Sequence, residues 1–321
     1  MKKTLVFISS AAMLLIVTSC LKEGIFKPER RLSKVYEMEV KQTTNYYNGR
    51  TEIRYDTLYK HLSQEWLWED DYLTAITNYY YYQEYQSDPV SGISSVLNLT
   101  YKHKRLAKVS DADGQNYSLY SYEWFKLVPL TTIESYQNGK LYSKVEFTHE
   151  DKIIIKAVVN FYGDEEASDA TKFALSTIMP NKKALDGVLA RKGAKGDLVK
   201  TLTLDFIYVE NNVTKVVMND GDVTTTIEYT YDAKTNPFYG CFAMFGEGSF
   251  GSMSQNNIIV EKVTTGDGEN TEAGTVTTPY EFKYDGEYPS SISRVDSAFD
   301  GANYRYDYTY TTFYEYLPME D

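Results

Sequence analysis

The sequence predicts a mainly β protein: a curved antiparallel meander sheet built from hairpin repeats, with a short helical insertion at about residues 165–195. Three observations lead there. Tyr accounts for 31 of the 321 residues, and Tyr is a strand former with an apolar ring and a polar tip. From about residue 33 onward apolar and polar residues alternate with period two, the mark of half-buried strands. Between the runs sit Asn48-Gly49, Asp113-Gly114, Asn138-Gly139, Asp220-Gly221 and Asp285-Gly286, dipeptides that favour the tight turns of β-hairpins.

The chain opens differently. Lys2 and Lys3 precede an apolar run from Leu5 to Val17, and Thr18-Ser19-Cys20 follows. Basic start, apolar middle and small residues at the end read as a secretory signal peptide. The run falls short of the ~20 residues a spanning helix needs. With Cys20 at the cut it resembles the bacterial lipobox, which implies removal of residues 1–19 and lipidation of Cys20. The implied first partner is therefore a membrane, held through Cys20. Several acyl chains anchor stably where one holds weakly, since each buried CH2 contributes about 0.8 kcal/mol. Leu21, where some such proteins carry an acidic residue, implies the outer membrane. Residues 20–32, rich in Lys, Arg, Glu and Pro, form a polar tether.

The sheet follows in two halves, 33–162 and 201–321. Leu97, Leu99 and Tyr101 alternate with Asn98, Thr100 and Lys102; Leu202, Leu204, Phe206 and Tyr208 with Thr203, Asp205 and Ile207. Ile227, Tyr229 and Tyr231, then Tyr280, Phe282 and Tyr284, then Tyr304, Tyr306, Tyr308 and Tyr310 repeat the pattern. Strands with one wet face pair antiparallel. Asn138-Gly139 joins Ile133–Tyr136 to Leu141–Val145, the cleanest hairpin in the chain. Units recur: Trp66-Leu67-Trp68 leads to Leu73 and Ile76, Tyr101 to Leu106 and Val109, Tyr208 to Val213 and Val216, Tyr284 to Ile292 and Val295. Such self-similarity indicates a repeat-built sheet.

Between the halves, residues 163–200 fit no repeat. Ser168–Met179 and Asn181–Arg191, split by Pro180, have helical composition, with Ser168 and Asn181 as N-caps. Two further stretches read as loops: Asn236–Gly251, rich in glycine, and Gly266–Thr278, a polar hairpin tip.

Tyr229-Thr230-Tyr231-Asp232 with Asn236-Pro237-Phe238, and Phe282-Lys283-Tyr284-Asp285-Gly286, resemble tyrosine–aspartate (YD) repeats of the Rhs kind. They look most like the degenerate version in Bacteroidetes lipoproteins of unknown function. The resemblance spans about residues 60–315. It implies a curved sheet of consecutive hairpins and transfers no catalytic residue.

Composition narrows the function. Once Cys20 is acylated, Cys241 is the one thiol left, so a disulfide within the chain or a cysteine-built metal site does not arise; Cys241 reads as a small buried residue. A net charge of -12 speaks against nucleic acid, which demands a basic footprint. The basic run Lys182, Lys183, Arg191, Lys192, Lys195 and Lys200 reads as a solvated face. Gly246–Gly251 matches dinucleotide-loop spacing, yet a strand pattern follows it where a helix is required. Asp111, Asp113 and Asn116 lack the ligand number and closing Glu of a calcium loop and read as an acidic turn. His61, His103 and His149 are scattered, with His103 continuing the Leu97–Tyr101 face. No catalytic motif, cofactor loop or metal set emerges.

The candidate site is therefore aromatic: Trp66, Trp68, Tyr79, Tyr80, Tyr81, Tyr82, Tyr85 and Trp124. Four consecutive tyrosines in a strand put rings on both faces, and exposed rings stack on flat apolar faces, those of sugars included. The expected function is a non-catalytic, membrane-anchored binding or interaction lipoprotein of the cell envelope, with a glycan or an envelope protein as partner and no cofactor. A polysaccharide hydrolase built on two carboxylates and a purely structural envelope component are the alternatives.

Overall fold

The structure, a computed structural model, describes residues 30–47, 50–57, 59–82, 89–123, 130–150, 153–163, 166–176, 178, 179, 185, 189, 200–239, 253–266, 274–300 and 304–318. It is one antiparallel meander that carries one short helix bounded at both ends, α1 (Asp169–Ser176). The strands are β1 (Leu32–Tyr47), β2 (Arg50–Thr57), β3 (His61–Glu69), β4 (Tyr72–Tyr82), β5 (Val90–Lys102), β6 (Arg105–Asp111), β7 (Tyr117–Tyr122), β8 (Leu130–Gln137), β9 (Lys140–Glu150) and β10 (Ile153–Phe161). Helix α1 (Asp169–Ser176) follows. Then come β11 (Lys200–Val209), β12 (Asn212–Asn219), β13 (Thr224–Thr235), β14 (Asn256–Gly266), β15 (Thr275–Pro279), β16 (Glu281–Asp285), β17 (Tyr288–Asp300) and β18 (Tyr304–Tyr316).

Apart from β2–β3 and β15–β16, each strand pairs with the next, and β1 returns to pair with β18, so the sheet nearly closes into a barrel. β1 bonds to β2 along Val40–Tyr47 and to β3 along Lys34–Glu37, so β2 and β3 share one position. β15 and β16 share another: β15 bonds to β14 and β16 to β17. Pairing runs unbroken across the insertion, because β10 bonds to both β9 and β11.

A ring of this size is too wide for strand side chains alone to fill. The connections fill it. Ala170, Phe173, Ala174 and Leu175 of α1, with Ile178 and Met179, join the same core as Val109, Ile133, Val159 and Leu204 of the strands. Phe238, from the β13–β14 connection, packs between Trp66 of β3 (6.2 Å) and Tyr314 of β18 (5.7 Å). Some outward positions carry charge, while others, such as Leu67 and Ile207, expose apolar side chains. Lys156 and Asp205, and Glu228 and Lys262, lie directly opposite each other across strands and pair at 3.8 and 3.2 Å.

The helix forms where Ser168 heads it. Its Oγ accepts from the Thr171 amide at 3.2 Å, satisfying one of the free N–H groups of the first turn. Asp111 pins the helix to the sheet by accepting from the Ala170 amide at 2.8 Å. That carboxylate and its neighbours are an acidic turn in use: Asn116 Nδ2 donates to Asp111 and the Gln115 amide to Asp113. Of Asn181–Arg191 only Leu185 and Leu189 are described, both helical.

Asn138 and Gly139 take φ of 50° and 75°, as a two-residue type I′ turn requires. The same turn forms at His103-Lys104, with φ of 52° and 65°. This corrects the expectation for His103: it is an exposed turn residue, because β5 ends at Lys102. The Gly266–Thr278 stretch is likewise shorter as a tip than expected, since Thr275–Thr278 belong to β15.

The chain enters and leaves the barrel at one rim, where Leu32 pairs with Tyr316. That rim also holds the β3–β4, β5–β6, β11–β12 and β16–β17 turns, and its strands share a device. One extra residue bulges out of each of several strands: Ser33, Thr74, Thr131, Thr214 and Ser290. Their hydroxyls donate across to the carbonyls of Glu315, Leu67, Ser121, Ile207 and Lys283 at 3.0–3.3 Å. A bulge interrupts the ladder and leaves backbone groups unpaired. The carbonyls of Leu32, Leu73 and Pro289, each just before a bulge, accept from Trp68 (2.7 Å), Tyr101 (3.0 Å) and Tyr316 (2.8 Å) of the adjacent strand. Val213 accepts from Tyr231 in the same way.

An aromatic ladder at the far rim

At the opposite rim β17, β18, β1 and β2 run side by side, in that order. Tyr314 and Thr312 of β18 face the core, at 7% and 4% exposure. No bulge interrupts β18 from Tyr304 to Glu315, so strand alternation puts Tyr304, Tyr306, Tyr308 and Tyr310 on the same, inward face. Their rings stand nearly parallel: Tyr304 and Tyr306 at 6.3 Å and 7°, Tyr308 and Tyr310 at 6.4 Å and 14°. Burial eases toward the end of the row, and Tyr304 is 40% exposed.

Neighbouring strands supply charge at matching positions. Lys41 of β1 lies opposite Tyr308. Its Nζ sits 4.8 Å from the Tyr306 ring centre and 5.6 Å from that of Tyr308, within cation–π range. Arg294 of β17 lies opposite Tyr310, its guanidinium 5.0 Å from that ring, and pairs with Asp296 at 3.1 Å. Glu39 and Thr43 of β1 lie opposite Tyr310 and Tyr306. The result is a row of rings with two cations held over it and hydrogen-bonding groups on both flanks. It suits a ligand that has apolar faces and polar edges.

Among the described residues, Trp66, Trp68 and Tyr79–Tyr82 do not share one platform. Trp66 is 5% exposed, packed among Trp68 and Phe238. It belongs to the core and offers no face to solvent. Trp68 is at the tether rim, with Arg31 5.9 Å above its ring. Tyr79–Tyr82 lie at the other end of β4, away from Trp68. Tyr79 donates to the Glu65 carboxylate; that bond holds the Glu65 carboxyl low and pushes the Tyr79 phenol up. Tyr81 stacks on His61 at 4.3 Å. Tyr80 (47% exposed) lies over Gly92, and Tyr82 is 58% exposed. Cys20, Tyr85, Trp124 and Cys241 lie outside the described residues, as do Gly246–Gly251 and Lys182–Lys195 of the basic run; Lys200 pairs with Asp220 at 2.7 Å. The ladder went unremarked as a site because alternating tyrosines also mark an ordinary half-buried strand. Four in one register without a break was the available signal.

Fold and ladder together define a filled, nearly closed antiparallel β-barrel with an aromatic mouth. No protein-family model and no curated protein sequence matches the chain. Among solved structures it is similar to a porin-like protein from Bacteroides uniformis ATCC 8492, with TM-score 0.47 and 12% identity, covering 88% of this chain and 97% of that one. It is also similar to a porin-like protein from Bacteroides vulgatus ATCC 8482, with TM-score 0.43 and 9% identity, covering 90% and 99%.

Proposed function

We propose that this chain is a non-catalytic binding protein of the bacterial cell envelope, held to the outer membrane by lipid on Cys20, and that its ligand is a glycan seated on Tyr304–Tyr310. The carrying observation is the unbroken inward row of rings with Lys41 and Arg294 over them, at the rim opposite the one where the chain enters. A tether at that entry leaves the ladder unobstructed. The outward ion pairs Lys156–Asp205 and Glu228–Lys262 favour a body bathed in water, since a lipid-embedded barrel carries an apolar outer band.

Affinity electrophoresis against a polysaccharide panel tests the ligand class. Wild-type protein should be retarded by at least one glycan, and Tyr308→Ala should weaken that binding about tenfold, a loss expected of an aromatic anchor. Failure of every glycan to retard the protein removes the reading. Labelling with radioactive palmitate, lost in Cys20→Ser, tests the anchor separately.

A further inference from the structure

Strand β2 is exposed along its whole length, and among the described residues it hydrogen-bonds to β1 alone. Among the described residues its other edge is therefore unpaired, a template for one more strand. Ile53 and Tyr55, 50% and 64% exposed, sit on one face of it.

The order of residues says which strand fits. A second β2 laid antiparallel must match face to face, which requires the two-fold axis to pass through a residue. With the axis at Ile53, Arg50 lies opposite Asp56 of the second copy and Glu52 opposite Arg54, while Thr51 meets Tyr55 and Ile53 meets itself. Every charge then faces its opposite. Moving the axis one residue to Arg54 sets Arg54 against Arg54 and Glu52 against Asp56; moving it to Glu52 sets Arg50 against Arg54. Like charges directly opposite oppose pairing, so the register is selected by attraction within it and repulsion beside it.

We propose that two copies of this protein associate edge to edge through β2, with Ile53 on the two-fold axis. Ile53 is covered by Ile53 of the second copy, and Tyr55 by its Thr51. Because the axis reverses the barrel direction, the two entry rims point away from the junction, and the tethers do not interfere. The inward faces of both copies share one side of the joined sheet.

Oxidative cross-linking of the full-length chain tests this. Ile53→Cys should form a covalent dimer, and Arg50→Cys should not, because the two Arg50 positions are six residues apart along the joined strands, about 20 Å. Adding Arg54→Glu to Ile53→Cys should cut the dimer yield about tenfold by placing Glu opposite Glu. Adding Glu52→Arg as well restores opposite charges and should restore the yield. Arg54 is an exposed residue, so these changes leave the barrel intact. Equal cross-linking at positions 50 and 53, no cross-linking at 53, or indifference to the charge reversal would each overturn the proposal.

Discussion

The phenol of Tyr101 on β5 donates to the main-chain carbonyl of Leu73 on β4 at 3.0 Å. Leu73 precedes the bulged residue Thr74, where the ladder is interrupted, so the tyrosine replaces a partner the strand does not supply. Such a bond contributes about 1 kcal/mol net, and a buried carbonyl left without it costs a similar amount or more. Tyr101→Phe removes the donor and keeps the ring. It should destabilise the protein by about 1 kcal/mol in equilibrium denaturant unfolding. Tyr55→Phe, on an exposed ring, should stay within about 0.5 kcal/mol of wild type. Equal effects of the two would refute the role given to the hydroxyl.

Gly163 follows β10 and lies against Tyr142 of β9. The amides of Tyr162 and Gly163 both donate to the Tyr142 carbonyl, at 2.8 and 3.3 Å, and a Cβ at position 163 would run into the Tyr142 ring. That ring is 7% exposed and packs edge-on to Phe161 at 6.5 Å, so it has little room to yield. Gly163→Ala should cost about 1–3 kcal/mol, the range for overpacking. Gly139→Ala meets nothing within 4 Å but sits at φ 75°, so its cost, about 1 kcal/mol, is conformational. Tyr142→Leu should relieve Gly163→Ala and leave Gly139→Ala unchanged, a double-mutant cycle that separates the two causes.

Asp220 closes the β12–β13 turn. Burial alone would raise its pKa. Hydrogen bonds from Lys200 Nζ and from the Val223 and Asp222 amides, with the charge of Lys200, outweigh burial and hold the carboxyl well below the usual range. A carboxyl depressed in the folded state stabilises the protein above its unfolded pKa of about 3.9, and that stability drains away as pH falls toward the folded value. Asp220→Asn should therefore cost about 2 kcal/mol at pH 7, as expected for bonds to a charged group. The gap between variant and wild type should narrow below about pH 4. Unfolding curves at pH 7 and pH 3 measure both; a gap independent of pH would mean that geometry, and not charge, is what the carboxylate provides.

The meander and its hairpins were legible because alternation is a local signal, and burial on one face of Leu97, Leu99, Leu202, Leu204 and Ile227 follows it. The unit leading from Trp68 to Leu73 and Ile76 was legible too, and the same spacing joins Tyr101 to Leu106 and Tyr208 to Val213. In the Tyr284 unit the matching residue is Pro289, not Ile292. What the repeat is for was not legible: the partner carbonyl lies on another strand, at no fixed distance in sequence. Closure was hidden for the same reason, since Leu32 and Tyr316 are at opposite ends of the described chain. Turns without glycine, at Asp70, His103-Lys104 and Glu210, escaped because their positive φ is imposed by the flanking strands and not by the residue. The division between covered and open aromatics was not legible, because alternation gives the face of a ring but not whether something covers it. Phe238 covers Trp66 from the β13–β14 connection, far from it in sequence.

That division makes the sharpest test of the ladder. Trp68, Tyr80 and Tyr308 were equivalent as strand aromatics, but the structure separates them. Trp68 donates to the Leu32 carbonyl at the entry rim, Tyr80 lies over Gly92 on β5, and Tyr308 stands in the ladder beside Lys41. If the ladder seats the ligand, Tyr308→Ala and Tyr306→Ala should each weaken binding about tenfold with little change in unfolding midpoint, because both rings are only half-buried. Trp68→Ala should do the reverse: it removes a packed ring and a capping donor, so it should cost about 3 kcal/mol or more of stability and leave the affinity of the folded protein intact. Tyr80→Ala opens space over Gly92 and should alter affinity only if the ligand extends from β18 across β1 to β4. Titration calorimetry on folded variants, beside thermal unfolding of the same samples, keeps the two readouts apart. Loss of affinity at Trp68 with none at Tyr306 or Tyr308 would move the binding surface to the entry rim.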